Sequence, residues 1–210
     1  MSTLIVIAKE CVPGRVKTRL HPPLSLEQAA RLAEASLIQT LATAAHLPFD
    51  RRILYFDGNL LPEGSEHFTV TSQTSGTLDE RLGAIFDKCT GPTFLIGMDT
   101  PQISADTLAP VLDSWDDGVD AWFGPALDGG FWGLGLREPD GDLIRGVPMS
   151  EDDTGAIQLQ RLLDAGLNVR MLPTLIDVDT IESARQVAVI DPEGLFASTL
   201  AAVIEDGIER

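Results

Sequence analysis

Residues 4–8 read Leu4-Ile5-Val6-Ile7-Ala8, a short apolar run that no polar residue interrupts. Three of its five side chains are β-branched, which is typical of a central strand covered on both faces. A polar loop containing Pro13-Gly14 follows it. The sequence therefore predicts a buried first strand whose carboxyl end opens into a loop.

Strands and helices alternate beyond this run. Capping boxes at Ser25–Gln28 and Thr77–Glu80 open two helices, and the second is predicted to reach Cys89. Apolar runs predict strands at 53–56, 68–70, 93–97, 121–123, 131–136 and 168–172, and a short one at 177–179. Further helices are predicted from Ser104 to about Trp115 and at 154–165, 180–189 and 193–208. This alternation indicates βαβ units and a mainly parallel sheet, in which ligands bind at the carboxyl ends of strands.

The length of 210 residues predicts a single domain covering residues 1–210. Thirty-two acidic against 15 basic residues give a net charge of −17, which argues against nucleic acid or an anionic membrane as a partner. No targeting segment is recognisable, so a cytoplasmic location is expected. Cys11 and Cys89 are too few for a disulfide framework and are interpreted as ordinary free thiols.

Basic residues crowd the loop after the first strand despite this acidity. The set is Lys9, Arg15, Lys17 and Arg19, four of the 15 bases within eleven positions. Gly14 would let the backbone approach an anion, while lysine and arginine supply charge and hydrogen-bond donors. The loop predicts a phosphate cradle, although a solvated basic loop or a set of surface ion pairs would show the same composition.

Carboxylates follow two other predicted strands. Asp99 comes directly after the run at 93–97, where it could hold Mg²⁺ or Mn²⁺ or simply cap the turn before Pro101. Asp177 and Asp179 lie on the same side of an extended segment because side chains alternate along a strand. They could complete a metal site, or Asp179 could belong to the start of the next helix.

The segment Asp128-Gly129-Gly130 follows another predicted strand. Such a sequence is usually a turn. As a functional loop, Asp128 would accept hydrogen bonds from the hydroxyls of an acceptor, and Gly129 and Gly130 would allow close contact with the backbone. The sequence leaves both interpretations open.

Taken together, these motifs resemble a bacterial family, the domain of unknown function 2064, often described as glycosyltransferase-like. The similar segments are Pro13–Leu20, Gln73–Leu78 with Arg81-Leu82, Ile96–Pro101, Gly124–Ala126 with Asp128–Phe131 and Gly135-Leu136, and Asp177–Thr180. Their order and spacing hold from about residue 4 to residue 185. Met98 and Thr100 depart from the family's usual serine and cysteine beside Asp99, and Thr77 and Asp79 from its usual aspartate and glycine.

The resemblance implies the GT-A fold of nucleotide-diphospho-sugar transferases, a three-layer α/β/α sandwich around a mainly parallel sheet. It implies that the basic loop binds nucleotide phosphates together with Arg81, and that Gln73 and Gly76 line the base pocket. Asp99 would hold Mg²⁺ or Mn²⁺, with Asp177 or Asp179 as a further ligand. The expected partners are a nucleotide-sugar or nucleoside triphosphate and a small acceptor.

Three functions remain open at this stage. In glycosyl transfer, Lys17 and Arg19 would stabilise the leaving diphosphate, Asp99 would hold the metal, and Asp128 would position or deprotonate the acceptor. In nucleotidyl transfer, a phosphorylated small molecule would attack the α-phosphate of a nucleoside triphosphate, and the same cations would serve. The altered residues beside Asp99 motivate the third, a nucleotide-binding module without turnover.

Overall fold

A computed structural model describes residues 1–113, 115 and 118–208. Its strands are β1 Thr3–Lys9, β2 Arg51–Asp57, β3 Thr69–Ser72, β4 Thr93–Ile96, β5 Ala121–Pro125, β6 Phe131–Leu136 and β7 Val169–Met171. Its α-helices are α1 Leu26–His46, α2 Leu78–Phe86, α3 Ala105–Asp113, α4 Thr154–Asp164, α5 Ile181–Ile190 and α6 Leu195–Ile208. Within these residues, no helix combines the length and the apolar character needed to cross a membrane.

The strands form one sheet in the order β3-β2-β1-β4-β6-β5-β7. β1 pairs in parallel with β2 on one side and with β4 on the other. The chain thus moves outward from β1 to β3 and then returns to place β4 on the opposite side. The strand order reverses between β1 and β4, and their carboxyl ends open the crevice in which such sheets bind ligands.

Two apolar layers cover the two faces of the sheet. On one face, α1 contributes Leu37 and Leu41 and α3 contributes Leu108 to a cluster with β1, β2, β4, β5 and β6. On the other face, α2 contributes Ile85 and α4 contributes Leu162. A third cluster joins α1 to α5 and α6. The predicted α/β fold, a three-layer sandwich around a mainly parallel sheet, is confirmed.

Three details differ from the sequence-based expectation, and part of one predicted helix is not described. β6 runs antiparallel to both β4 and β5. Residues 177–179 form no strand; Val178 is fixed by a single hydrogen bond from its N–H to the Asp99 carbonyl (3.0 Å). Cys89 lies beyond the end of α2, although it is buried. α3 is described to Asp113; position 114 of its predicted extension, like residues 116, 117, 209 and 210 of the predicted domain, lies outside the described residues.

One close backbone contact fixes the loop between β5 and β6 against α4. The Gly155 N–H donates to the Gly129 carbonyl at 2.8 Å, and a Cβ at Gly155 would lie 2.4 Å from the Gly130 carbonyl oxygen. At Gly129, φ is +92° and a Cβ would lie 1.8 Å from the Asp152 carbonyl oxygen. Both positions therefore require glycine for packing.

We predict that Gly155→Ala destabilises the protein by about 1–3 kcal/mol, although the same change in an open helix position stabilises by about 1 kcal/mol. The new methyl group would push the β5–β6 loop off α4. Urea denaturation would measure the change, with Ala156→Gly at the neighbouring exposed position as the control that reports helix propensity alone. An unfolding free energy of Gly155→Ala above that of the wild type would contradict the prediction.

Candidate active site

A cavity of about 540 Å³ opens at the carboxyl ends of β1 and β4. Its volume falls within the range of about 300–1,000 Å³ common for small-molecule sites. The predicted site residues that line it are Lys9, Lys17, Arg19, Gln73, Arg81, Asp99, Asp128, Gly130, Asp177 and Asp179. Four other predicted residues, Gly14, Arg15, Gly76 and Gly129, do not line it. The fold thus brings cations and carboxylates from distant parts of the chain into one crevice.

Lys17 lines this cavity and bridges two of its carboxylates. Its Nζ lies 2.8 Å from Asp99 Oδ1 and 2.8 Å from Asp179 Oδ1, and its side chain is only 9% exposed. Burial would lower the pKa of Lys17, but the charges of Asp99 and Asp179 outweigh it and raise the pKa above its usual value. Burial would raise the pKa of Asp179, but the charge and hydrogen bond of Lys17, with the charges of Arg19 and Lys9, together outweigh it and lower the pKa of that carboxyl. Lys17 is therefore a charged, buried counter-ion for two carboxylates.

The backbone of the basic loop explains how Lys17 reaches this position. Gly14 has a φ of +77° and Lys17 a φ of 46°, and the Arg15 N–H donates to the Val12 carbonyl at 2.9 Å. A left-handed conformation is unfavourable for a residue with a Cβ and marks strain at functional segments. Gly14 thus shapes the turn from outside the cavity.

The other cations of the loop are more open to solvent. Arg19 is 77% exposed, and its Nη1 lies 3.5 Å from Asp179 Oδ2. The side chains of Lys9 and Arg15 are exposed, and neither forms an ion pair with the residues that the structure describes. Lys9 lines the cavity, whereas Arg15 does not. Lys9 and Arg19 are therefore placed to meet an anion entering the crevice.

Hydrogen bonds from three other segments fix the backbone around Asp99. Ser36 Oγ on α1 donates to the Met98 carbonyl at 2.7 Å, and the Lys9 N–H donates to Met98 Sδ at 3.4 Å. The Val178 N–H donates to the Asp99 carbonyl at 3.0 Å. Asp99 itself keeps a half-open side chain, 41% exposed. The carboxylate is held rigidly while one side of it faces the cavity.

Asp177 carries a buried carboxylate oxygen without a partner in the cavity wall. Its Oδ1 is buried and has no hydrogen-bond partner among the described residues. Burial raises the pKa of Asp177 to about 7, and the charges of Asp128 and Asp99 add to the shift. A carboxylate surrounded by other carboxylates and lacking a donor is suited to a hard cation such as Mg²⁺ or Mn²⁺. The donor chemistry of the site therefore fits a divalent metal ion.

The carboxylates are not already arranged around a metal position. Across the described part of the chain, no three His, Cys, Asp or Glu side chains are grouped closely enough to hold a metal ion. The space between Asp99 and Asp179 is instead bridged by Lys17. Metal binding at Asp99, Asp177 and Asp179 would thus require side chains to move.

Asp128 and its glycines have different roles in the structure. Asp128 is exposed and lines the cavity, and its Oδ1 accepts a hydrogen bond from the Gly130 N–H at 2.9 Å. Gly130 lines the cavity beside it, while Gly129 packs against Asp152. The segment is therefore a turn that also forms part of the cavity wall, and binding of an acceptor there stays a prediction.

Gln73 is fully engaged with the protein. Its Nε2 donates to the carbonyls of Ala8 (2.8 Å) and Tyr55 (3.0 Å), and its Oε1 accepts from Arg81 Nη1 at 2.6 Å. Arg81 Nε is buried and has no partner among the described residues. Gln73 therefore orients Arg81, which lines the cavity and keeps one buried N–H without an acceptor among the described residues. Gly76 lies in the turn before α2 and does not line the cavity.

Sequence reasoning missed the segment before α4. Met149, Ser150, Glu151 and Asp152 all line the cavity, together with Thr154. The acidic run at 151–153 has the composition of a solvated helix start, so nothing local distinguishes it. Ser150 has a φ of 64°, but a left-handed serine leaves no sequence signal either. Long-range packing of Gly129 on Asp152 brings this segment to the site.

Both cysteines are unsuited to nucleophilic chemistry. Burial raises the pKa of Cys11 to about 12, with the charges of Glu34 and Asp99 adding to it. Burial also raises the pKa of Cys89. Both cysteines are free thiols in the structure. Because their pKa values are raised, they remain protonated at neutral pH.

Comparison with known sequences gives one family. The profile described as "Uncharacterized protein conserved in bacteria (DUF2064)" matches residues 29–151, more than half of the chain. No functionally curated protein matches the sequence significantly. The family match begins after the basic loop and ends within the acidic run, so it covers Gln73, Asp99 and Asp128.

Solved structures share the fold at low sequence identity. A provisionally assigned nucleotide-diphospho-sugar transferase from Desulfovibrio desulfuricans G20 has a TM-score of 0.83 and 23% identity, covering 98% of this chain and 97% of that one. A CMP:2-keto-3-deoxy-manno-octonic acid synthetase in complex with CTP has a TM-score of 0.54 and 11% identity, covering 91% and 98%. A Mycobacterium tuberculosis H37Rv protein in complex with manganese has a TM-score of 0.53 and 23% identity, covering 89% and 96%. At these identities the likeness establishes the common fold.

We predict that Asp177→Asn raises the free energy of unfolding at pH 8 by on the order of 2 kcal/mol, and that the gain disappears toward pH 4. The folded pKa of about 7 lies above the ordinary value of 3.8. The folded protein therefore binds more protons between these values, and the wild type loses stability as the pH rises through them.

Urea denaturation in EDTA at pH 4, 6 and 8 would measure this difference. Asp106→Asn, an exposed aspartate on α3, is the matched control and should change stability little at any pH. A gain in stability for Asp177→Asn that does not depend on pH would contradict a raised pKa at Asp177.

Proposed function

Since the chain belongs to the domain of unknown function 2064 family, we propose for it the reaction that its cavity serves best, transfer from a nucleotide-activated donor. The donor is a nucleotide-diphospho-sugar and the reaction is glycosyl transfer to a small acceptor. One observation carries the proposal: Lys17, Arg19 and Asp99 meet at the carboxyl ends of β1 and β4, where the strand order reverses. A crevice that combines cationic side chains with carboxylates able to hold a divalent metal ion is suited to binding a diphosphate.

The cations of the basic loop serve the leaving group. The bond between the anomeric carbon and the diphosphate oxygen breaks, and its electron pair leaves with the diphosphate. Lys17 and Arg19 stabilise the charge that grows there, because fixed charges in a partly closed cavity act more strongly than in water. Lys9, exposed at the wall, adds attraction during entry.

Asp99, Asp177 and Asp179 would hold Mg²⁺ or Mn²⁺. The bound ion would supply Lewis-acid neutralisation of the diphosphate. The buried, unpartnered Oδ1 of Asp177 supports this assignment, as does the manganese complex of a protein with the same fold.

Asp128 serves the acceptor. It is exposed at the cavity wall, and one of its oxygens is held by the Gly130 N–H. The other oxygen is available to accept the proton of an acceptor hydroxyl as the hydroxyl oxygen bonds to the anomeric carbon. General-base catalysis of this kind requires a carboxylate within hydrogen-bond reach of the nucleophile.

Nucleotidyl transfer is the second candidate. The observation that favours it is the CTP complex among the structures with this fold, together with a cytidylyltransferase from Leptospira borgpetersenii serovar Hardjo-bovis at a TM-score of 0.55 and 10% identity. There a phosphorylated acceptor would attack the α-phosphate and pyrophosphate would leave. Positioning and charge stabilisation dominate that reaction too.

The products distinguish these functions. The protein is incubated with nucleotide-sugars and nucleoside triphosphates and a panel of small acceptors, with Mn²⁺ or with EDTA. We expect release of nucleoside diphosphate from a nucleotide-sugar in the presence of Mn²⁺, together with an acceptor-dependent glycoside. Release of pyrophosphate would establish the second candidate. Nucleotide binding without either product would overturn both and leave a binding module.

The same assay locates the metal. Asp99→Asn, which keeps the size of the side chain and removes its charge, should abolish the dependence of turnover on Mn²⁺. Asp106→Asn on the exposed face of α3 should leave it unchanged. Turnover of Asp99→Asn at the wild-type rate would remove Asp99 from the site.

We further predict that Gln73 acts on the donor through Arg81. Arg81→Ala should weaken nucleotide binding at least tenfold, and Gln73→Ala about three- to tenfold, because Arg81 loses the acceptor that orients it. The double variant should bind no more weakly than Arg81→Ala, since coupled residues are not additive.

Calorimetry with the donor identified in the product assay measures these affinities. Gln160→Ala on the exposed face of α4 is the control glutamine. Additive losses in the double variant would show that Gln73 contacts the nucleotide itself, as the family resemblance implies.

A further inference from the structure

Lys17 occupies a position that a metal ion would need. Its Nζ lies 2.8 Å from an oxygen of Asp99 and 2.8 Å from an oxygen of Asp179. Both carboxylates are expected metal ligands, and they come from segments 80 residues apart. An ammonium ion and a divalent cation repel each other strongly at such distances. The two cations therefore exclude one another from the space between Asp99 and Asp179.

The cavity carries more negative charge than Lys17 neutralises. Six carboxylates line it, those of Asp99, Asp128, Glu151, Asp152, Asp177 and Asp179. The buried ammonium pairs with two of them, and the exposed Arg19 reaches one of the same two at 3.5 Å. Asp177 Oδ1 keeps no partner among the described residues. The site accordingly still attracts a cation while Lys17 lies between Asp99 and Asp179.

A diphosphate offers Lys17 an alternative partner. Lysine is a compact charge on a flexible four-carbon stem, and the cavity that Lys17 lines is wide enough for a nucleotide. Phosphate oxygens in that cavity would compete with Asp99 and Asp179 for the same ammonium. When Lys17 turns to the phosphates, both carboxylates lose their counter-ion.

We propose, resting on the function proposed above, that Lys17 is an exchangeable counter-ion that makes metal binding depend on the donor. The ammonium occupies the space between Asp99 and Asp179 until phosphates take it up, and the divalent cation then binds there. Coupling of this kind is reciprocal, so the metal also favours the diphosphate. Lys17 would thus prevent the acidic cavity from holding a metal ion in the absence of substrate.

The first test measures Mn²⁺ alone. Titration followed by the electron paramagnetic resonance of free Mn²⁺ should show that Lys17→Met binds Mn²⁺ at least tenfold more tightly than the wild type. Arg19→Met is the matched control, because it removes the same charge from the same loop at a 77% exposed position. It should change the affinity less than threefold. Equal gains in both variants, or none in Lys17→Met, would overturn the exchange.

A measurement on the wild type does not depend on the folding of a variant. The chain has three lysines, Lys9, Lys17 and Lys88, and Lys9 and Lys88 are exposed. With acetic anhydride and peptide mass spectrometry, Lys17 should be labelled at least tenfold more slowly than Lys88. Saturating Mn²⁺ should raise labelling of Lys17 at least fivefold and leave Lys88 unchanged. Bound Mn²⁺ with Lys17 still protected would overturn the proposal.

Inorganic pyrophosphate tests the dependence on phosphate. It should lower the Kd for Mn²⁺ at least fivefold more in the wild type than in Lys17→Met, and the Mn²⁺–pyrophosphate complex in solution is common to both and cancels. If pyrophosphate lowered the Kd for Mn²⁺ equally in the two proteins, the proposed dependence of metal binding on Lys17 would be overturned. None of these measurements uses a nucleotide or turnover, so their failure is distinguishable from failure of the product assay.

Discussion

The site depends on one ion pair network, in which Lys17 bridges Asp99 and Asp179. It joins the loop after β1, the end of β4 and the segment before α5, which are adjacent only because the strand order reverses between β1 and β4. Burying an ammonium costs several kcal/mol unless good partners replace its water. Two carboxylates at hydrogen-bond distance are such partners, and without the ammonium they would repel each other across the crevice.

This local arrangement reconciles a net charge of −17 with a site for a diphosphate. Charges on the far surface are screened beyond about 8–10 Å at physiological salt, whereas Lys17 and Arg19 lie in the cavity wall itself. The carboxylates of the same wall oppose the phosphates at close range. When the diphosphate is bound, the site must balance the negative charge of both the phosphates and the wall carboxylates. Lys17 and Arg19 supply only two positive charges, which is the physical reason to expect a metal ion as well.

The sequence was sufficient for the features that local chemistry determines. The buried β1 follows from its β-branched apolar run, and α1 begins at Ser25, whose capping box with Gln28 is present in the structure. The antiparallel pairing of β6 with β5 was open to prediction, because residues 126–130 are too short a connection for a parallel crossover. The pairing of β6 with β4 was not, since that strand lies about 40 residues away in the sequence. Likewise, the Asp128-Gly129-Gly130 motif left open a close contact between Gly129 and an acceptor, whereas Gly129 packs on Asp152 and does not line the cavity. The cavity wall at 149–152 escaped prediction for the same reason, since long-range packing alone brings it there.

The residues that depart from the family around Asp99 bear on whether the site can turn over. Met98 is buried, and it uses both its carbonyl and its sulfur to receive hydrogen bonds from Ser36 and Lys9. Thr100 is buried as well. Both side chains line the cavity, and the Asp99 carboxylate still lies 2.8 Å from Lys17 Nζ. The two departures therefore leave the ion pair between Asp99 and Lys17 in place. A carboxylate whose backbone is held by Ser36 and Val178 is suited to the metal-holding role proposed for Asp99, because catalysis by charge requires groups that are fixed in advance.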